Sequence, residues 1–274
     1  MKRWLAWGLV GPATLAVLVF LIAPVAATFA TTFIDPRGPF APYVSYFASA
    51  FRRTVLFRTL EIAVITTIIS VIVGFLTAYV IARAPRRAKG LLIMAAVFPL
   101  LTGVVVRSFA WLIILGKNGI LNSTLLALHI IPAPLSMLYT EGSVIVAMVY
   151  LFVPLMILTL VGVLESIPED LLQASTSLGA TPAATMRQVI LPLATPGLIV
   201  GAVLVFTGSF TSYATPQLLG GEQQMMMGTL LYQQAMVTFD WTLASTIAVI
   251  MVVLTIAIVI AMSALARRLN PVAA

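Results

Sequence analysis

The sequence predicts an all-α integral membrane protein, a bundle of six membrane-spanning helices forming one domain over residues 1–274. Three observations predict it: 61% of the residues are hydrophobic, only 8% are charged, and apolar runs of spanning length recur six times. A soluble domain carries roughly 25% charged residues, so this chain lacks the polar surface to cover a globule in water. Its mean hydropathy of +1.13 agrees. A helix crosses a hydrocarbon core of roughly 30 Å with about 20 apolar residues. The segments 8–33, 59–82, 91–115, 141–163, 193–215 and 241–265 reach that length. Lipid offers no partner to a backbone N–H or C=O, so each run satisfies itself as a helix. That demand outweighs the strand preference of its many Val, Ile and Thr residues.

The first run follows Lys2 and Arg3, as a secretory signal would, but it exceeds a signal's apolar core of 7–15 residues. It reads as a retained span. Basic loop residues set the orientation. With both termini cytoplasmic, the inner parts hold Lys2, Arg3, Arg83, Arg86, Arg87, Lys89, Arg187, Arg267 and Arg268. The outer parts hold Arg37, Arg52, Arg53, Arg58 and Lys117, with the Arg52–Arg58 cluster expected on a short interfacial helix before the second span. The net charge of +7 comes from residues scattered at the ends of apolar runs, which suits lipid headgroups and excludes a nucleic-acid partner.

The loop 165–192, expected in the cytoplasm, is legible residue by residue. Ser166 as N-cap, Pro168 near the first position and the acidic pair Glu169–Asp170 predict a helix start. The helix runs to Leu178 and Gly179 stops it, glycine being at ease in the left-handed conformation. Thr181 and Pro182 start a second short helix, with Met186, Val189 and Ile190 as its apolar contacts. Small residues at Ala174, Ser175, Ala180, Ala183 and Ala184 allow close approach by another protein.

Gln173-Ala174-Ser175, then Gly179, then Ile190-x-Pro192, resembles the EAA loop of the permease subunits of ABC importers. Gln173 stands where the family has glutamate and Ser175 where it has the second alanine. The resemblance implies a type I importer permease: two permeases, often paralogues, on a dimer of ATP-binding subunits, fed by a periplasmic solute-binding protein. It implies that the loop docks on the ATPase, with Gly179 setting the angle, Ala174 and Ala180 packing, and Arg187 meeting acidic residues. Thr59–Ala63 leading to Gly74, Ala78 and Tyr79 resembles the second span of these permeases, and Arg107–Trp111, Gly119–Asn122, Pro216–Gly221 and Asp240-Trp241 are similar to the spermidine/putrescine group. This implies polyamines or related small cations such as opine-like amines as solute. Iron(III) importers lie nearby.

Within the spans, Arg107 is the one deeply placed charge, costing roughly 2.5–3.5 kcal/mol to insert. A structural or gating role is expected for it, with Trp111 four residues on along the same face. Ser209, Phe210, Ser212 and Tyr213, with Tyr150, form a polar and aromatic set able to stack on a cation, or equally to pack between helices. Glu61, Glu141 and Asp240, near the outer ends of spans, are placed to accept an amine or to sit among headgroups. Gly197 and Gly201 make a G-x-x-x-G contact step. Met225–Met227 is expected in an external loop, packing adaptably.

The sequence holds no cysteine, one histidine (His129) and no G-x-x-x-x-G-K-[ST]. No cofactor, metal or catalytic role is expected; ATP hydrolysis would belong to a partner. An ion-coupled secondary transporter would work alone and need an ion site near the bilayer midplane, and a membrane enzyme would cluster polar residues at one interface.

Overall fold

The computed structural model describes residues 3–34 and 36–269. Lys2, and the side chains of Arg3, Arg267 and Arg268, lie outside the described residues. The regular elements there are helical, and six segments are long and apolar enough to cross a membrane: Val10–Phe33, Ala50–Arg83, Val104–Ala127, Glu141–Glu165, Pro182–Phe210 and Trp241–Ala264.

The chain divides into two compact units, Met1–Thr54 with Leu230–Leu254, and Val55–Thr229 with Thr255–Ala274. The first contains α1 (Arg3–Phe33), α2 (Ala41–Ala48) and the start of α3 (Ala50–Arg83). Arg52 and Arg53 do not form a separate interfacial helix. They begin α3, and their guanidinium groups fold back on α2. Arg52 Nη1 donates to the Ser45 carbonyl (3.1 Å), and Arg53 Nη1 donates to the carbonyls of Phe47 and Ala48 at the end of α2. The orphan carbonyls of a helix C-terminus take cations well.

The second unit is built on α7 (Glu141–Glu165), whose Met148, Met156, Leu160 and Leu164 are fully buried. Three glycines let neighbours approach it. A Cβ on Gly74 of α3 would fall 2.8 Å from Met156 Cβ. On α10 (Leu191–Phe210), a Cβ at Gly197 would fall 2.9 Å from Val163 Cγ2, and one at Gly201 would collide with Met156 Sδ. Closeness of this kind is how helices associate where lipid removes the hydrophobic drive.

The expected span 91–115 is two helices. α4 (Arg86–Leu101) ends after Pro99, the chain turns extended at Thr102 and Gly103, and α5 (Val104–Leu115) begins. After α5 the chain turns again before α6 (Ile120–Ala127). Asn122 pins that turn. Its amide donates to the carbonyls of Gly116 and Leu135 (both 3.0 Å) and accepts from Leu135 N–H (2.9 Å), in full burial. Asn122 is therefore an internal brace.

Beyond α10 come α11 (Ala214–Gly220), α12 (Met227–Tyr232), a π-helical turn over Gln233–Val237 and α13 (Trp241–Leu269). Met225–Met227, the run expected to pack adaptably in an external loop, are buried within the chain. Met227 N–H donates to Thr59 Oγ1 (2.9 Å), seating the segment on α3.

Candidate functional site

Ser166 does not cap the loop helix. It closes α7, its Oγ donating to the Val163 carbonyl (2.7 Å). Pro168 occupies the cap position of α8 (Glu169–Ser177), whose first turn carries Glu169 and Asp170 against the helix dipole. The far end of α8 closes in both bonds of a Schellman motif: Gly179 N–H donates to the Thr176 carbonyl (2.9 Å) and Ala180 N–H to that of Ser175 (3.1 Å). Gly179 has φ +80°, in the left-handed region that a side chain disfavours. Thr181 then caps α9 (Pro182–Thr185), its Oγ1 accepting from Ala184 N–H (3.3 Å). A π-helical turn over Met186–Ile190 carries the chain into α10.

Glu169, Asp170, Gln173, Ala174, Gly179, Arg187 and Pro192 are exposed, Ser175 and Ala180 half-buried, and Ile190 buried in the core. The loop thus shows a polar, small-residue face outward and is rooted by Ile190. Lys89 Nζ pairs with Glu165 Oε1 at 2.8 Å, tying the start of α4 to the end of α7 beside the loop. At the opposite end of α7, Arg58 Nε pairs with Glu141 Oε1 at 3.0 Å while its Nη1 donates to the Gln223 carbonyl (3.1 Å). Glu141 is thus charge-compensated.

Of the residues expected along a solute path, Trp111 and Tyr150 meet, their rings edge to face with centroids 5.6 Å apart. Tyr150 also borders a groove of about 500 Å³ walled by α3, α4 and α7. Arg107 is 6% exposed, and its Nη1 donates to the carbonyls of Pro99 (2.9 Å) and Thr102 (3.3 Å), closing the frayed end of α4. Ser209 and Phe210 are fully buried, Phe210 stacked on Phe206 at 5.7 Å. Tyr213 opens α11, half-buried, and Glu61 is exposed on α3. In the other unit Asp240 Oδ1 accepts from Leu243 N–H (3.0 Å) as the cap of α13. Asp240 lines a cleft there with Arg37 and Arg52. Sequence reasoning missed Thr185, Lys89 and the Arg58–Glu141 pair. Only the near repeat of hydroxyls at Thr181 and Thr185 hinted at the first; the ion pairs join distant segments and leave no local mark.

Residues 70–271 match the protein family described as the binding-protein-dependent transport system inner membrane component. The chain belongs to that family.

This permease is 32% identical over 200 residues to the spermidine/putrescine transport system permease protein PotB of Haemophilus influenzae, covering 73% of this chain and 70% of that protein. The Escherichia coli PotB is 30% identical over 187 residues, 68% of each chain. The fold matches a chain from the crystal structure of a bacterial ABC transporter involved in the import of the acidic polysaccharide alginate. The TM-score is 0.84 at 17% identity, over 97% of this chain and 96% of that one. A chain of the MetNI methionine ABC transporter matches with TM-score 0.61 at 19% identity, over 78% of this chain and 94% of that one. The protein is a permease subunit of an ABC importer, helical in its described regular elements, and of the inner membrane.

Proposed function

We propose that this permease imports polyamines or related small cationic solutes, handed to it by a periplasmic solute-binding protein. ATP hydrolysis by a separate dimer of ATP-binding subunits drives the cycle, and a second permease, a paralogue, completes the membrane pair. The observation that carries this reading is the loop 165–192: two short helices hinged at Gly179, exposed outward and rooted in the core through Ile190. Such an element can receive a push at its polar face and pass it into α10. Gln173, Ala174, Ser175, Gly179, Ala180 and Arg187 form the docking face, with Ile190 and Pro192 leading into the span. The permease has no catalytic role of its own. The loop end of α7 and both termini are cytoplasmic.

The solute class is supported by the spermidine/putrescine permeases among the relatives. Trp111 and Tyr150 are the contacts we assign to the cation, each ring contributing about 0.5–2 kcal/mol by cation–π attraction. Arg107, Ser209 and Phe210 hold the surrounding helices. Tyr213, Glu61 and Asp240 are secondary contacts, and Asp240 is the weakest because two arginines share its cleft.

The test is ATP-dependent uptake of labelled spermidine into vesicles that contain this chain, its ATPase, the partner permease and the binding protein. Uptake that needs every component and is competed by putrescine is the expected result. ATP hydrolysis stimulated by the binding protein, without polyamine uptake, would leave the importer standing and remove the polyamine assignment.

A further inference from the structure

Ser175 and Thr185 lie on opposite arms of the loop. Ser175 sits on the last turn of α8, Thr185 ends α9, and their hydroxyl oxygens are 2.7 Å apart. Thr185 is 7% exposed and Ser175 half-buried, so the bond is shielded from competing water. Between them the chain passes the left-handed Gly179, which has no heavy atom within 4 Å of where a Cβ would stand. At the elbow itself the two Schellman bonds hold the backbone, and no side chain fills the space beside the Gly179 Cα. Directly after Thr185 comes the π-helical turn, closed by Leu191 N–H donating to the Met186 carbonyl, and then α10. A π turn carries one residue more than the α-helix tolerates comfortably and marks places where helices adjust.

We infer that the Ser175–Thr185 hydroxyl bond is a brace that makes the elbow rigid, so that displacement of α8 reaches the π turn and α10 instead of being lost at Gly179. The inference rests on the coupling role proposed for the loop and assigns Ser175 and Thr185 as positioning residues within it. Where the EAA pattern has alanine, this chain has Ser175, and alanine could not form the bond. Force then has two routes from α8 to α10, the backbone through Gly179 and the short cut through the side chains. The second bypasses the hinge.

The experiment measures solute delivered per ATP hydrolysed, in vesicles holding the complete transporter. The variants are Ser175→Ala, Thr185→Val, their combination, Ser175→Thr, and Gly179→Pro as a reference. The expected result is a fall in that ratio of about three- to tenfold in either single variant, the factor to which one net hydrogen bond corresponds. The double variant should fall no further, because both changes remove the same bond. Ser175→Thr, which keeps the hydroxyl, should retain most of the ratio. An unchanged ratio in the single variants, or losses that add in the double one, overturns the brace. If Gly179→Pro also leaves the ratio unchanged, the coupling role of the loop itself fails. If Gly179→Pro uncouples while the hydroxyl variants do not, the loop reading survives and the brace alone is wrong. A merely structural loss would lower hydrolysis and uptake together and leave their ratio unmoved.

Discussion

Gly179 shows how much one backbone angle can carry. At φ +80° with open space around its Cα, the position rejects side chains by conformation and not by crowding. Gly179→Ala should therefore cost only about 1–2 kcal/mol of local strain and leave uptake measurable. Gly179→Pro cannot reach a positive φ and also deletes the N–H that donates to the Thr176 carbonyl, so coupled uptake should collapse. Gly201 is the opposite case, an α-helical residue excluded by contact with Met156. Gly201→Val should destabilise the detergent-solubilised protein by about 1–3 kcal/mol, read as a lowered melting temperature. Tyr46 on α2 is fully buried and donates to the Arg52 carbonyl (3.2 Å). Burial pushes its phenol up to about 12, with the Arg52 charge pulling back slightly. The folded value exceeds that of the unfolded chain, about 10. Its contribution is therefore complete below pH 10 and lost as pH climbs from there through 12. Melting temperature should fall in that interval for the native protein and less steeply for Tyr46→Phe.

At the scale of elements, the break between α4 and α5 is the feature that most needs a side chain. Carbonyls at the end of a helix go unsatisfied where lipid or packed protein excludes water. Arg107 reaches two of them, Pro99 and Thr102. Arg107→Leu should cost about 1.5–3 kcal/mol, the range for hydrogen bonds to a charged group, measured by thermal unfolding in detergent. The arginine that looked costly inside a span is thus held where a cation suits a helix C-terminus. The ion pairs at the two ends of α7 act differently. Lys89–Glu165 and Arg58–Glu141 have partly exposed side chains, so each contributes at most about 1 kcal/mol. Their use is geometric: one ties α4 to α7 beside the loop 165–192, and the other ties α3 to α7 and the 220–224 turn.

For the molecule as a whole, the distribution of apolar surface decides what it can do. Among its described residues α1 buries none across its most apolar window, and large apolar side chains line many helices outward, Phe20 at 81% exposure among them. Lipid and partner subunits must cover those faces. The chain reconstituted alone should neither hydrolyse ATP nor accumulate solute, and both activities should appear only on adding the ATP-binding, partner and solute-binding proteins. The orientation can be tested cleanly because the chain has no cysteine. In sealed right-side-out vesicles, a cysteine at Gln173 should resist an impermeant maleimide until the membrane is opened, whereas one at Glu222 should label at once. The reverse pattern would overturn the cytoplasmic placement of the loop.

Six spans, the helical class and the loop's glycine stop were legible in the sequence because each follows from local rules. Twenty apolar residues in lipid must be helical, glycine ends helices, and Thr181-Pro182 begins one. The capping of α7 by Ser166 was misread for the same reason, since a serine between two helices can serve either, and only the path of the chain chooses. The division of 91–115 at Thr102–Gly103 was invisible to hydropathy, which averages over breaks. What only the tertiary structure decided were the relations between distant segments. These are Arg107 on the end of α4, Met227 on Thr59, Trp111 against Tyr150, the ion pairs at each end of α7 and the hydroxyl bond from Ser175 to Thr185. Sequence determines which segments are helices through forces acting within a turn or two. Which side chains then meet depends on how those helices pack, and that is settled by the sum of many contacts that no single stretch of the chain contains.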